Sequence, residues 1–341
     1  SDYYNHIRGI PYLEYRKSDL FYAKVAVQGD YFAYHYNTGW EDDTDFRFHD
    51  TFVNFSGSGF NAKIGNQVVR WGKTDGFSPL DNVNPEDYRD GIAGRREDRK
   101  IPIPMVNLQA YRGAFTIQGL YIPFFIKSEF DITGTDWAWF DRVDKAIGPF
   151  QYDDPDYSLS LADSQGGARI TATTHGFDLA FSYLNKINDL PSIDSLFVPP
   201  GVTLDAGSIR ELPRFTQATG QTIQLKYDRT SIWGLEVETT VGDIGVRGDV
   251  AYDTNVNFLT DTLESIEKPV FEYTVGFDYN SANNFYINVQ FNQAIIQDWE
   301  DRILLSKEVT SAVTGTISKE FYNGNFKPEF RIYYDLKGDA S

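Results

Sequence analysis

The sequence predicts an all-β fold, an antiparallel transmembrane β-barrel with about 14 strands, and three observations carry that expectation. Apolar and polar residues alternate along many segments, aromatic residues are over-represented, and short turns alternate with long loops. The alternation is plainest at 283–293, where Phe285, Ile287, Val289 and Phe291 share one parity and Tyr286, Asn288, Gln290 and Asn292 the other. Successive side chains of a strand point to opposite faces, so one face is greasy and the other carries amides. A soluble β-sandwich would bury the greasy face and wet the amides, whereas a barrel in lipid does the reverse.

Composition favours the barrel. Aromatics make up 16% of the chain (26 Phe, 22 Tyr, 6 Trp), yet hydrophobic residues reach only 41% and mean hydropathy is −0.41. A membrane barrel uses such rings as girdles at both bilayer interfaces, and a sandwich has no comparable need of them. Charges in mid-strand point the same way: Lys24, Lys63, Arg169, Glu236, Glu238, Arg247, Asp249 and Glu272 are assigned to the lumen wall. No apolar run has the length of a transmembrane helix, so any crossing is made by strands.

The elements follow in order. Spans 4–16 and 20–36 meet at a turn over Lys17 to Asp19, and in the second Phe21, Ala23, Val25 and Val27 oppose Tyr22, Lys24 and Gln28. Spans 45–56 and 59–71 join at Ser56 to Gly59, and 102–112 and 114–124 at Arg112-Gly113. Across His175-Gly176, spans 167–175 and 177–186 pair, the latter setting Phe177, Leu179, Phe181 and Tyr183 against Asp178, Ala180 and Ser182. The stretch 221–241 keeps Ile223, Leu225, Tyr227, Trp233, Leu235, Val237 and Val241 on one parity and is read as a single strand projecting beyond the membrane. It turns at Gly242-Asp243 into 243–253; spans 269–280 and 283–296 flank Ser281 to Asn283, and 307–320 and 325–336 flank Asn323-Gly324, a pair suited to a type I′ hairpin.

Long connections are expected near 37–43, 72–101, 126–166, 187–219, 254–268 and 297–304, so 1–341 reads as one barrel domain. If long means extracellular, both ends of the sequence lie outside, opposite to the bacterial habit. One further strand at each end would repair this, giving about 16 in the complete protein. The opening Ser1-Asp2-Tyr3-Tyr4 reads as a processed or trimmed start.

Chemistry is constrained by absence as well. With no cysteine there are no disulfides and no thiolate nucleophiles or ligands. A net charge of −18, from 49 acidic and 31 basic residues, argues against a nucleic-acid partner. It suits a cation-preferring lumen, divalent-bridged loops beside lipopolysaccharide, or simply well-solvated loops. His6, His35, His49 and His175 show no metal-ligand spacing, the Gly-x-Ser-x-Gly nucleophile motif is missing, and Gly57-Ser58-Gly59 is a turn with no Gly-Lys-Ser/Thr after it.

One stretch carries a family resemblance. It runs Gly65-Asn66-Gln67-Val68-Val69-Arg70-Trp71-Gly72, then Lys73-Thr74-Asp75-Gly76, then Asn84-Pro85-Glu86-Asp87-Tyr88-Arg89, and returns through Asp98 to Pro104. With the hairpin Thr239 to Gly248, it resembles the Gram-negative outer-membrane proteins catalogued as domain of unknown function thirteen-oh-two. The resemblance implies a large outer-membrane barrel in a family linked to export or uptake of hydrophobic compounds, with no catalytic residues and no agreed substrate.

The 72–101 connection is long for a structureless loop, which marks it as functional or disordered. Its charges, with Arg70, Lys73, Asp75, Asp81, Asp87 and Arg89 foremost, suit an inward-folded constriction with a transverse field, or a solvated cap held by its own salt bridges. At 136–147 the residues Trp139, Val143, Ala146 and Ile147 fall at helical spacing, and Trp137, Trp139 and Phe140 are expected at the mouth, greeting an apolar solute or resting on the rim. Acidic runs at Asp42, Asp43 and Asp45 and at Asp153, Asp154 and Asp156 offer oxygen ligands for Ca²⁺ without the EF-hand spacing, so no cofactor is required. The expected function is an outer-membrane channel for passive or facilitated diffusion of a small amphipathic or hydrophobic solute, with outer-membrane lipid and lipopolysaccharide as surroundings. A structural barrel docking a protein partner in an envelope complex is the alternative, and an outer-membrane hydrolase is the least supported.

Overall fold

Period-two patterning becomes strand throughout the computed structural model, which describes residues 3–36, 39–91, 96–131, 152–155, 159–195, 220–281, 283–322 and 324–336. β1 (Tyr3–Gly9) and β2 (Tyr12–Ser18) lie end to end along one side of β3 (Phe21–Tyr36), and β4 (Gly39–Phe48) and β5 (Thr51–Gly57) lie end to end along the other. The sheet continues through β6 (Phe60–Gln67), β7 (Ile103–Arg112), β8 (Phe115–Ile122), β10 (Gln165–Thr174) and β11 (Phe177–Ile187). It ends with β14 (Arg229–Val241), β15 (Ile244–Leu259), β16 (Ser265–Asn280), β17 (Phe285–Ile296), β18 (Val309–Lys319) and β19 (Glu329–Asp335). A separate three-stranded sheet of β9 (Tyr152–Asp153), β12 (Ser192–Ser195) and β13 (Ile223–Lys226) is built from the long connections.

The large sheet has 16 strands, every pairing antiparallel. Because β2 continues β1 and β4 runs into β5, these strands fall into 14 ranks along the hydrogen-bonded path. The first break sits at Ile10-Pro11, where proline has no N–H to give the ladder. At the second, Thr51 Oγ1 takes over the ladder's role, donating to the Ala26 carbonyl (2.9 Å) and accepting from the Ala26 amide (3.1 Å).

Three expectations are corrected. Residues 221–241 are not one strand: β13 belongs to the small sheet and β14 to the large one, with Tyr227 and Asp228 between them. Their shared parity misled because it does not distinguish burial against protein from exposure to lipid: Ile223 is 1% exposed and Leu235 55%. The loop expected over 37–43 gives way to strands reaching Tyr36 and resuming at Gly39, which puts Asp42, Asp43 and Asp45 in β4. The loop expected over 254–268 shrinks to a hairpin at 260–264, since pairing resumes beyond a bulge between Asp253 and Val256. The expected helix at 136–147 and Asn323 lie outside the described residues.

The greasy parity looks outward. On β17 Val289 is 46% exposed, while its neighbours Asn288 and Gln290 are 5% and 1% exposed. The same inversion recurs at Phe277 and Leu235 outside, Thr274 and Glu236 inside. A soluble protein places these groups the other way round. An apolar exterior over hydrogen-bonded strands is a surface for lipid to cover. No helix among the described residues is long and apolar enough to cross a membrane.

Candidate functional site

Leaving β6, residues 68–91 and 96–101 lie against the inner face of the sheet. Val69, Trp71, Leu80 and Val83 pack against Met105, Leu120, Ile122, Leu184, Ile232 and Ala251 of the wall in one buried apolar cluster. The Trp71 indole N–H also donates to Gln118 Oε1 at 3.0 Å. Leu80 occupies the space left by Gly234, where an added Cβ would come within 2.5 Å of Leu80 Cδ2. Each fully buried side chain of this size contributes about 1.5–3 kcal/mol, so the cluster holds the segment firmly.

The entry and exit of the segment are tied by one side chain. Asn84 Oδ1 accepts from the Val69 amide (2.8 Å), while Nδ2 donates to the carbonyls of Gln67 (3.0 Å) and Ile101 (2.9 Å). Both donors and one acceptor site of this buried amide are thereby used, which explains physically why Asn84 sits among the motif residues.

The tip reaches β14, β15 and β17. Asp249, 0% exposed, accepts from the backbone amides of Lys73 (2.9 Å) and Thr74 (2.9 Å) and from Thr74 Oγ1 (2.5 Å). The approach requires Gly72, whose φ is +94° and where a Cβ would stand 2.0 Å from Ser78 Oγ. Beyond it, Lys73 Nζ pairs with Glu238 (2.9 Å), and Arg247 bridges Glu238 (3.0 Å) and the Asp75 carboxylate, to which the Tyr286 hydroxyl donates at 2.9 Å. Arg169 and Glu236 pair on the same face.

Two further ionic groups lock the segment down. Glu86 meets Arg96 (2.6 Å), Lys100 (3.1 Å) and Arg99 (3.2 Å), and Asp81 meets Lys100 (3.3 Å) and Arg70 (3.4 Å). Burial works against the charged form of Glu86, but Lys100 and Arg96 more than offset it, so its carboxyl is held at about 2. Toward β1, β3 and β4, Asp87 meets Arg89 (2.8 Å), Arg8 (3.3 Å) and Arg47 (3.4 Å), and burial of its carboxyl is again outweighed, here by the Arg89 hydrogen bond and charge, which hold it below the usual range. Arg8 and His6 converge on Asp30 at 2.6 and 2.7 Å.

The structure thus gathers Arg169, Glu236, Glu238, Arg247 and Asp249 with Lys73 and Asp75, and separately Arg70 with Asp81 and Asp87 with Arg89. Lys24 and Lys63 are not brought to the segment: Lys24 lies 3.7 Å from Asp50 and over the Tyr12 ring, and Lys63 over Phe52. Glu272 lines a cavity with Asp253 and Lys186. Trp137, Trp139 and Phe140 lie outside the described residues. Of the acidic runs, Asp45 is taken by Arg47 (2.6 Å) and Arg89 (3.2 Å), Asp154 pairs with Lys127, and Asp156 is outside the described residues. No group of three or more His, Asp or Glu gathers at metal-ligand spacing among the described residues.

The sequence reading missed the apolar interior and the cluster around His6, Arg8, Asp30 and Arg47. A signal for the former exists. Leu184 and Ile232 sit on the polar parity of their strands, and an apolar side chain on that parity needs something inside to pack against.

The segment 65–104 that builds this site is also the motif by which the chain resembles a family, and the match extends well beyond it. The model of the family described as "Protein of unknown function (DUF1302)" matches residues 17–326. The chain belongs to that family. None of the curated proteins matches it. Among solved structures, this DUF1302 member is similar to Salmonella typhi OmpF in complex with daunomycin, with TM-score 0.50 and 9% identity over 97% of this chain and 82% of that one. It is also similar to the outer-membrane channel DcaP of Acinetobacter baumannii, with TM-score 0.45 and 10% identity over 97% and 92% of the two chains. At such identity the OmpF likeness speaks for the fold alone, which is a porin-like antiparallel sheet.

Proposed function

We propose that the chain closes as an outer-membrane barrel and acts as a non-enzymatic channel for passive or facilitated diffusion of a small amphipathic or hydrophobic solute, with residues 68–101 as its constriction. The observation that carries this reading is the tethering of Lys73 and Asp75 opposite Glu238 and Arg247. Fixed charges of both signs beside an apolar cluster give a transverse field next to a greasy surface, which suits an amphipathic solute more than a simple ion. Arg169, Glu236 and Asp249 hold the wall behind the segment in this reading, and the external solute, lipid and lipopolysaccharide are its partners.

Planar-bilayer recording tests it. The purified protein is expected to give discrete conductance steps, and Arg247→Glu to change both step size and cation preference. A barrel that seals the bilayer would remove the pore.

A second reading, a structural barrel serving as a sheath or docking platform, is favoured by the same apolar cluster, because protein already fills part of the interior. It predicts no conductance and a stoichiometric partner after purification in mild detergent.

A further inference from the structure

Between the inward segment and the wall lies a cavity of about 610 Å³, within the range of small-molecule sites. Pro79 and Asn82 of the segment form one side, β14 to β16 the other, and Leu304 and Leu305 approach from the 297–308 connection. Much of the lining is apolar: Ile193, Ile232, Ala251, Val256, Phe258 and Leu304.

Its charged residues are Lys186, Asp189, Asp253 and Glu272, three carboxylates against one ammonium. The ammonium is already engaged, donating to the Asn82 carbonyl (2.9 Å) and pairing with Asp189 (3.1 Å). Asp253 accepts from Thr230 Oγ1 and from the Asn255 amide (3.1 Å), and neither donor is a cation. The Glu272 carboxylate, largely covered, makes neither a hydrogen bond nor an ion pair with any described residue. Ala251 is its cross-strand partner, which makes Asp253, two residues along β15, its diagonal neighbour on the same face. Two carboxylates at that spacing in a partly apolar cavity repel each other, and among the described residues Lys186 and Arg96 act on them only from a distance, with no Lys or Arg in direct contact with either carboxylate.

We propose that this cavity binds an organic cation, its ammonium between Glu272 and Asp253 and its apolar body against Ile232, Ala251 and Leu304. The proposal rests on the reading of the chain as a channel for an amphipathic solute and gives that solute a positive charge. An arriving ammonium relieves the carboxylate repulsion while the apolar end leaves water, so charge and greasy surface act together.

Isothermal titration of the detergent-solubilised protein with phenylethylammonium, phenylpropionate and phenylethanol tests this without recourse to conductance. The ammonium is expected to bind at least tenfold tighter than the anion or the alcohol. Glu272→Gln, nearly isosteric, is expected to weaken it at least tenfold, and Leu304→Trp, which fills the cavity from a connection without touching either carboxylate, to weaken it likewise. Equal affinity for cation and alcohol, or wild-type affinity in Glu272→Gln, would overturn the proposal. A barrel that binds the ammonium yet never conducts would overturn the channel reading alone, and one that conducts yet shows no preference would overturn this proposal alone.

Discussion

Individual side chains decide whether residues 68–101 stay where they are. Asp249 is the strongest single tether, a buried carboxylate receiving two backbone amides and a hydroxyl. Charge-assisted hydrogen bonds of this kind are worth about 1.5–3 kcal/mol each, so Asp249→Ala is expected to raise hydrogen exchange at the Lys73 and Thr74 amides by at least tenfold, with amides of β17 unchanged. Loss of protection in β17 as well would mean that the sheet, not the tether, had failed. Glu86 gives a pH-dependent counterpart. Its carboxyl is held at about 2 instead of the ordinary 4.5, so its contribution, about 3 kcal/mol, is fully present above pH 4.5 and is lost as pH falls toward 2. Urea unfolding of the wild type and of Glu86→Gln is accordingly expected to differ most at pH 5 and to converge near pH 2. A gap that widens on acidification would contradict the assignment.

At the scale of elements, most strands of the large sheet were legible in the sequence because they carry their own alternation, β11 and β17 being the clearest cases, whereas β9, β12 and the first half of β4 fell in expected loops. The break at Pro11 was readable in principle, since proline cannot donate to the ladder, while the break near Thr51 depends on a side chain whose partner lies on β3. The split between β13 and β14 was hidden, because Ile223 and Leu235 look alike in sequence and differ only in what covers them. Charges of the inward segment were legible as a list; their partners were not, since Asp249, Glu238 and Tyr286 come from strands far along the chain. The apolar cluster makes the segment a packed element and not a loose loop. Trp71→Ala is expected to cost about 3–5 kcal/mol of that packing and to open Arg70 and Lys73 to trypsin, where the wild type is expected to resist cleavage. Equal resistance in the variant would place the segment's stability in its ion pairs instead.

For the whole molecule the governing fact is an inverted surface: amides and charges within, aromatic and aliphatic side chains without. That inversion makes sense of low mean hydropathy beside abundant aromatics, and among the described residues it places charges such as Arg169, Glu236 and Asp249 on the inner face. On the proposed channel reading it also sets what the interior does, since a wall of fixed amides and ion pairs partly filled by an apolar segment would discriminate by both charge and greasiness. The most direct test uses the chain's lack of cysteine, which lets single cysteines be introduced at each position from 285 to 293, spin-labelled and reconstituted in liposomes. Accessibility to dissolved oxygen is expected to oscillate with a period of two residues, with maxima at Phe285, Ile287, Val289 and Phe291; maxima at Tyr286, Asn288, Gln290 and Asn292, or no such period, would contradict the account.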